Sequence, residues 1–238
     1  MIKIKFFILI FLLLILYYFN NIYFETFNVF ETFNVNNEYW IGYRLGDIIK
    51  YWNNLKHQKT NFEYINSIKY KYPNSIGDIY LKKNVNKKKK NFDLLFRIID
   101  EKIINKKPNE ISMHLRIGDV LNFDKNKNLI YLNEYVTRVT EIEKIIPLLK
   151  NKKKINIFYG SHYNLKKDIS EKYLNEIRTL LNKNNIKIIE NNSGNPDYDL
   201  LNMCNSKIFI QSGGGFSNII AKYIKSRGGK VINPRIKV

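Results

Sequence analysis

The hexapeptide His114-Leu115-Arg116-Ile117-Gly118-Asp119 carries the strongest structural signal in this 238-residue chain. It directly follows a short apolar run at residues 111–113, which predicts a buried β-strand that ends in a turn. The planar guanidinium of Arg116 offers paired donors that match two phosphate oxygens, and Gly118 allows a sharp bend. This order fits the pyrophosphate of a nucleotide, bound where parallel strands end. The other interpretation is a surface ion pair in which Arg116 and Asp119 satisfy each other.

A second group of polar and small residues follows between positions 197 and 217. Asp197-Tyr198-Asp199-Leu200-Leu201-Asn202-Met203-Cys204 predicts a short amphipathic helix, because its apolar residues recur at helical spacing. A buried strand at 207–211 then precedes Ser212-Gly213-Gly214-Gly215-Phe216-Ser217, which predicts a glycine-rich turn that opens a helix. Backbone amides at such a turn form an anion site, and the two serine hydroxyls add donors. A flexible turn without a ligand is the alternative.

Strand-like and helix-like segments alternate through the second half of the chain. We predict strands at 111–115, 155–159, 186–189, 207–211 and 230–232, and helices at 132–149, 165–181, 198–204 and 216–226. This alternation is typical of βαβ units and a parallel sheet. Because Arg116, Gly160 and Ser212 each follow a strand, we expect one sheet edge to form the ligand crevice of a doubly wound fold.

These motifs resemble those of the α1,2-fucosyltransferase and O-fucosyltransferase group, which are GT-B glycosyltransferases that use GDP-fucose. The resemblance covers about residues 111–234, half of the chain. It consists of His-x-Arg-x-Gly-Asp, followed about eighty residues later by Asp-x-x-x-(Leu/Met)-x-x-Cys and Ser-x-x-x-Phe-Ser. The chain departs from that group at Ile117, where a second Arg or another bulky residue is usual. It also departs at 213–215, where the turn is usually rich in serine.

The resemblance implies an α/β, GT-B-like fold and the metal-independent transfer of a sugar, with fucose expected, to a hydroxyl on a glycan or protein. Arg116 would then hold the donor pyrophosphate and His114 would line the same cleft. Asp199 or Asp197 would contact guanine, and the turn from Ser212 to Ser217 would contact the phosphates. The general base stays open among Asp119, Asp47 and His114. No cofactor besides the donor sugar nucleotide is expected.

The N-terminal 109 residues predict three further segments. Residues 1–24 form a predicted signal anchor, because the unbroken apolar run at 6–19 follows Lys3 and Lys5 and no small-x-small cleavage site comes after it. A cleaved signal peptide is the alternative. This predicts one transmembrane helix in a type II orientation, with a lumenal domain in an endoplasmic reticulum or Golgi-like compartment. Residues 25–37 are a predicted stalk that contains most of a duplicated hexapeptide, Phe-Glu-Thr-Phe-Asn-Val.

Residues 38–109 predict a reduced N-terminal α/β half on the acceptor side, and residues 110–238 a Rossmann-like domain that binds the nucleotide sugar. The segments Tyr43-Arg44-Leu45-Gly46-Asp47-Ile48 and Leu115-Arg116-Ile117-Gly118-Asp119-Val120 share one pattern: apolar-Arg-apolar-Gly-Asp-apolar. Either this is chance, or each half opens with a similar strand and turn that faces one cleft.

Composition limits the other classes of function. The net charge of +19 suits an anionic membrane and a nucleotide-sugar diphosphate. The lysines are scattered, so we do not expect nucleic-acid binding. Cys204 is the only cysteine, which excludes an intramolecular disulfide, and three widely spaced His do not make a metal site. No P-loop pattern is present, which argues against a kinase. A non-catalytic, membrane-anchored protein that binds a glycan or another partner is the main alternative.

Overall fold

The computed structural model describes residues 45, 48, 72–84, 91–103, 107–132, 134–149 and 154–236. All of them belong to one compact unit, Tyr39–Val238. The predicted signal anchor at 1–24 and the predicted stalk at 25–37 lie outside the described residues, as does Asp47. Within the described ranges, no helix has both the length and the apolar character that crossing a membrane requires.

Five parallel strands form the central sheet. In chain order they are β1 (Asn109–Leu115), β4 (Lys154–Tyr159), β5 (Lys187–Asn191), β6 (Ser206–Ile210) and β7 (Lys230–Ile232). Across the sheet their order is β5-β4-β1-β6-β7, and every neighbouring pair is parallel. The prediction of a parallel, Rossmann-like sheet is therefore confirmed. The chain first builds outward from β1 on one side, then crosses back and builds outward on the other side.

Helices cover both faces of this sheet. They are α1 (Ile76–Lys83), α2 (Phe92–Ile103), α3 (Val139–Leu149), α4 (Lys167–Lys183), α5 (Pro196–Cys204) and α6 (Gly215–Ser226), with a 3₁₀ helix at Ser161–Lys166 before α4. Helices α3 and α4 share a hydrophobic core with one face. Helices α5 and α6 share a core with the other face, together with α1 and α2.

The periodicity of α4 shows how sequence places a helix on the sheet. Ile169, Tyr173, Ile177 and Leu181 recur every four residues and are all buried. Side chains at this spacing lie on one face of a helix. Burying a side chain of this size stabilises the fold by roughly 1.5–3 kcal/mol. The predicted core stripe of this helix is therefore confirmed.

The segment between β1 and α3 differs from its prediction. The helix predicted from residue 132 begins only at Val139. Before it, β2 (Leu121–Phe123) and β3 (Leu129–Tyr131) form an antiparallel hairpin. The carboxylate of Asp124 accepts hydrogen bonds from the backbone amides of Asn126 and Asn128 and so closes the hairpin loop. The hairpin occupies a stretch for which no element was predicted, and residues 134–136, predicted as the start of the helix, form a turn instead.

The predicted N-terminal half is described only in part. Its described elements are α1 and α2, together with Leu45 and Ile48, which are helical and buried. The division at residue 109 stays a prediction.

Candidate functional site

The two sequence motifs meet at the centre of the sheet, where the strand order reverses. Strands β1 and β6 are neighbours, and Met113 lies opposite Ile210 in their register. The turn after β1 and the turn after β6 therefore leave from the same edge of the sheet. In open parallel α/β sheets, ligands bind in the crevice at this reversal point, beyond the carboxyl ends of the strands. The described fold thus belongs to the doubly wound class, with its crevice between the two predicted motifs.

A buried hydrogen bond joins the two strand ends. Nδ1 of His114 lies 2.5 Å from Oγ of Ser212, and both side chains are buried. Burial, followed by the positive charges of Arg116 and His162, lowers the pKa of His114 to about 3. The imidazole is therefore neutral at physiological pH. The ring of Phe216 packs 5.5 Å from it, centroid to centroid.

The glycine-rich turn after β6 is held by hydrogen bonds on both sides. The amide of Ser212 donates to Oγ of Ser217 over 3.1 Å, and the amide of Gly213 donates to the carbonyl of Tyr135 over 2.9 Å. Gly214 has a φ of +90°, a conformation that favours glycine. Because the amide of Gly213 already donates to Tyr135, only the amides of Gly214 and Gly215 remain of the three that were predicted to bind an anion.

Helix α6 begins at Gly215 without a capping side chain. The first amides of a helix lack partners within the helix. Among the described residues, the backbone amides of Gly214, Gly215 and Phe216 have no hydrogen-bond partner. Amides in this position, at the positive end of a helix, favour an anion.

Arg116 lies at the crevice and forms an ion pair there. Its Nη2 lies 2.6 Å from Oδ2 of Asp119, and its Nη1 lies 3.4 Å from Nδ1 of His162. The side chain of Arg116 is 27% exposed and that of Asp119 is 43% exposed. His162 follows β4, so these contacts of the guanidinium lie on the β4 side of β1, whereas the glycine turn lies on the β6 side. The ion pair is the alternative interpretation of the hexapeptide, and it leaves the guanidinium partly open to solvent.

The two residues predicted to contact guanine, Asp197 and Asp199, lie in the first turn of α5, and both carboxylates already accept hydrogen bonds. Oδ2 of Asp197 accepts from the amide of Ile76 at the start of α1, over 2.7 Å. Oδ1 of Asp199 accepts from Oγ of Ser193, over 2.7 Å. Burial raises the pKa of Asp199 to about 6.

Three residues at the crevice were not among the predicted site residues. His162 contacts Arg116, Tyr135 binds the amide of Gly213, and Arg235 donates to the carbonyl of Ser212 over 3.3 Å. Only His162 carried a local signal, because it lies three residues beyond a strand, just after Gly160-Ser161. The described ranges contain no group of three or more His, Cys, Asp or Glu residues suited to a metal ion. Metal independence stays a prediction.

Comparison with known proteins adds little to this geometry. No family model matches the chain, and no curated protein is similar enough to count as a relative. Among solved structures, the chain is similar to the crystal structure of POFUT1, an O-fucosyltransferase, in complex with GDP. The identity is 13% and the TM-score is 0.37, and the match covers 71% of this chain and 64% of the POFUT1 chain, less than two thirds of its length. The fold class rests on the strand order of the sheet.

Proposed function

We propose that this protein is a glycosyltransferase that takes a sugar from a nucleoside diphosphate donor, with GDP-fucose as the expected donor. The acceptor is a hydroxyl on a glycan or a protein. The observation that carries this proposal is the position of the two motifs. The hexapeptide of β1 and the glycine turn of β6 flank the point where the strand order of a parallel sheet reverses. That point is the usual nucleotide crevice of such sheets.

The chemistry follows from the charge of the leaving group. When an acceptor hydroxyl displaces the diphosphate, negative charge builds on the leaving β-phosphate oxygen. Donors that meet this charge in the transition state accelerate the reaction. Arg116 supplies a cation at the crevice, and the amides of Gly214 and Gly215 supply oriented dipoles. Ser217 fixes the turn through the amide of Ser212.

In this proposal His114 is a neutral side chain that lines the crevice and connects its two sides. Its lowered pKa excludes a stable positive charge at neutral pH. Its hydrogen bond to Ser212 holds the β1 and β6 turns together.

Asp119 is the general base in this proposal. In the free protein its carboxylate binds Arg116. A diphosphate that takes over the guanidinium releases Asp119 to accept the proton of the acceptor hydroxyl.

Guanine recognition falls to Asp199 in this proposal. Asp197 is bound to the start of α1, whereas Asp199 is held by the hydroxyl and the backbone of Ser193, in the loop before its own helix. The N–H donors of guanine would stabilise the ionised carboxylate of Asp199. The anchor at 1–24 and the lumenal location complete the proposal and rest on sequence alone.

Calorimetric titration with GDP tests the donor site, with the Arg116→Met variant compared with wild type. Losing one charge-assisted hydrogen bond costs about 1.5–3 kcal/mol, so we expect the affinity to fall roughly 10- to 100-fold. Arg97→Met is the matched control, because Arg97 is an exposed arginine on α2. The absence of GDP binding to wild-type protein at millimolar GDP would overturn the proposal.

A pseudoenzyme that binds a glycan or a protein partner is the second candidate. The ion pair between Arg116 and Asp119 favours it, because a neutralised arginine needs no diphosphate. Release of GDP from GDP-fucose, measured across a panel of glycan and peptide acceptors, separates the two. GDP binding without release of GDP on any acceptor would favour the pseudoenzyme.

A further inference from the structure

Arg235 reaches the glycine turn from the far end of the chain. It follows β7, the strand that pairs with β6. Its Nη2 donates to the carbonyl of Ser212 over 3.3 Å, and its Nη1 donates to the carbonyl of Glu134 over 2.6 Å. One guanidinium thus connects the turn after β6 to the segment that precedes α3.

Gly213 lies between these two parts of the chain. A Cβ atom on Gly213 would stand 2.9 Å from Nη1 of Arg235 and 2.3 Å from Cα of Tyr135. The peptide group between Ser212 and Gly213 is held at both ends, because its oxygen accepts from Arg235 and its N–H donates to Tyr135. Its orientation is therefore fixed.

Among the described residues, the charge of Arg235 has no carboxylate partner. Arg116, Arg178 and Arg227 each form an ion pair with an acidic side chain, and Arg235 forms none with any described residue. Its Nε is also buried without a hydrogen-bond partner in the described part of the chain. Because its hydrogen bonds go to neutral carbonyls, no carboxylate among the described residues offsets the positive charge of Arg235 beside the turn.

We propose that Arg235 is a positioning residue of the diphosphate site, an inference that rests on the proposed function. It fixes the Ser212–Gly213 peptide, so that the unpaired amides of Gly214, Gly215 and Phe216 are held in one arrangement before an anion arrives. Donors that are already oriented bind a charge without the cost of ordering them. The unpaired positive charge adds to the attraction for a dianion.

Substitutions of Arg235 separate these two contributions. Lysine keeps the charge, but its ammonium is a point charge that does not present the rigid fork needed to bridge two carbonyls. Methionine keeps an unbranched apolar stem and loses both the charge and the bridge. Arg227→Met is the matched control for net charge, because Arg227 lies at the other end of α6 and pairs with Asp100.

The experiment is a titration of wild type, R235K, R235M and R227M with GDP, inorganic pyrophosphate and guanosine, alongside a thermal melt of each variant. We expect R235M to bind GDP and pyrophosphate about tenfold more weakly or worse, the effect of losing about 1.4 kcal/mol. R235K should fall between wild type and R235M. R227M should match wild type, and guanosine affinity should not change.

The outcomes distinguish this inference from the proposed function. Equal pyrophosphate affinity in wild type and R235M overturns the role of Arg235, whatever GDP does. An equal loss for guanosine also overturns it, because it would indicate general loosening. Pyrophosphate binding without GDP binding overturns the proposed nucleotide donor. The role of Arg235 is then decided by the pyrophosphate affinities of the variants. If R235M does not fold, the pyrophosphate affinity of R235K is compared with that of wild type instead. Equal affinities in those two proteins overturn the inference. Wild-type protein that binds neither ligand overturns both.

Discussion

The neutral histidine at the crevice connects the site to the stability of the fold. Burial and the charges of Arg116 and His162 lower the pKa of His114 to about 3, whereas a histidine in an unfolded chain titrates near 6.5. Between these two values the unfolded chain binds a proton that the folded chain does not. The stability that depends on neutral His114 is therefore complete above pH 6.5 and is lost as the pH falls towards 3.

Replacing His114 with asparagine should flatten this acid dependence. Asparagine keeps a polar group near the position of Nδ1 and does not titrate. We expect His114→Asn to lower stability at pH 7, because the ring packing is lost. We also expect it to lose less additional stability than wild type between pH 6.5 and 4.5. Urea unfolding followed by circular dichroism at several pH values measures both effects.

Asp199 provides a control of opposite sign. Burial raises its pKa to about 6, so its contribution is fully present at low pH and is lost as the pH rises through about 6. Asp199→Asn should therefore steepen the net loss of stability on acidification. An acid slope in His114→Asn that equals that of wild type would contradict the role assigned to this ring.

Gly118 tests how tightly the Arg116 turn is built. Its φ is +82°, and an added Cβ would stand 1.8 Å from the backbone oxygen of His162. We expect Gly118→Ala to destabilise the protein by about 2–4 kcal/mol, from the left-handed backbone and the overpacking together. Gly160→Ala is the matched control, because an added Cβ there has nothing within 4 Å and φ is −80°. It should change stability by less than about 0.5 kcal/mol. Equal losses in the two variants would contradict this account.

At the scale of elements, Asp197 joins two helices. Its carboxylate accepts from the amide of Ile76 and so places a negative charge at the start of α1, where the helix dipole favours it. We expect Asp197→Asn to cost about 1–2 kcal/mol and to leave GDP affinity within threefold of wild type. Chemical unfolding and GDP titration of the same sample separate a structural role from guanine contact. A large loss of GDP affinity at unchanged stability would restore Asp197 to the donor site.

The strands and helices of the second half could be predicted because their signals are local. The stripe of α4 and the apolar run of β1 depend on spacing along the chain, and each strand end follows directly from them. The β2–β3 hairpin was missed because it depends on the Asp124 turn, and each of its strands is only three residues long. Local periodicity does not show in strands this short.

The candidate site could be predicted only as far as its edge of the sheet. His114 and Ser212 meet there because neighbouring parallel strands end together, and Arg116 follows at the same end of β1. Asp119, His162 and a ligand can each bind the Arg116 guanidinium, and the spacing of residues along the chain does not predict which of them it faces. Arg235 reaches the turn through the pairing of β7 with β6, a long-range contact between segments that carry no motif.

At the scale of the whole molecule, α1 and α2 share one hydrophobic core with α5, α6 and the sheet. This core contains Leu95, Ile99, Leu200, Phe209 and Ile220, all completely buried. The α2–α6 contact also includes a hydrogen bond of 2.5 Å from the hydroxyl of Tyr223 to Asp100. A cut at residue 109, the predicted boundary, would remove one wall of this core.

We therefore expect the fragment 110–238 not to fold, and the fragment 39–238 to unfold cooperatively with the same urea midpoint as the full chain. The shorter fragment would expose the apolar sides of α5 and α6, and each large side chain left exposed forfeits roughly 1.5–3 kcal/mol. Because a domain has only about 5–15 kcal/mol of net stability, a few such losses suffice to unfold it. Far-ultraviolet circular dichroism during urea unfolding measures both fragments. A fragment 110–238 that unfolds at the midpoint of 39–238 would show that the sheet and its own helices form an independent domain.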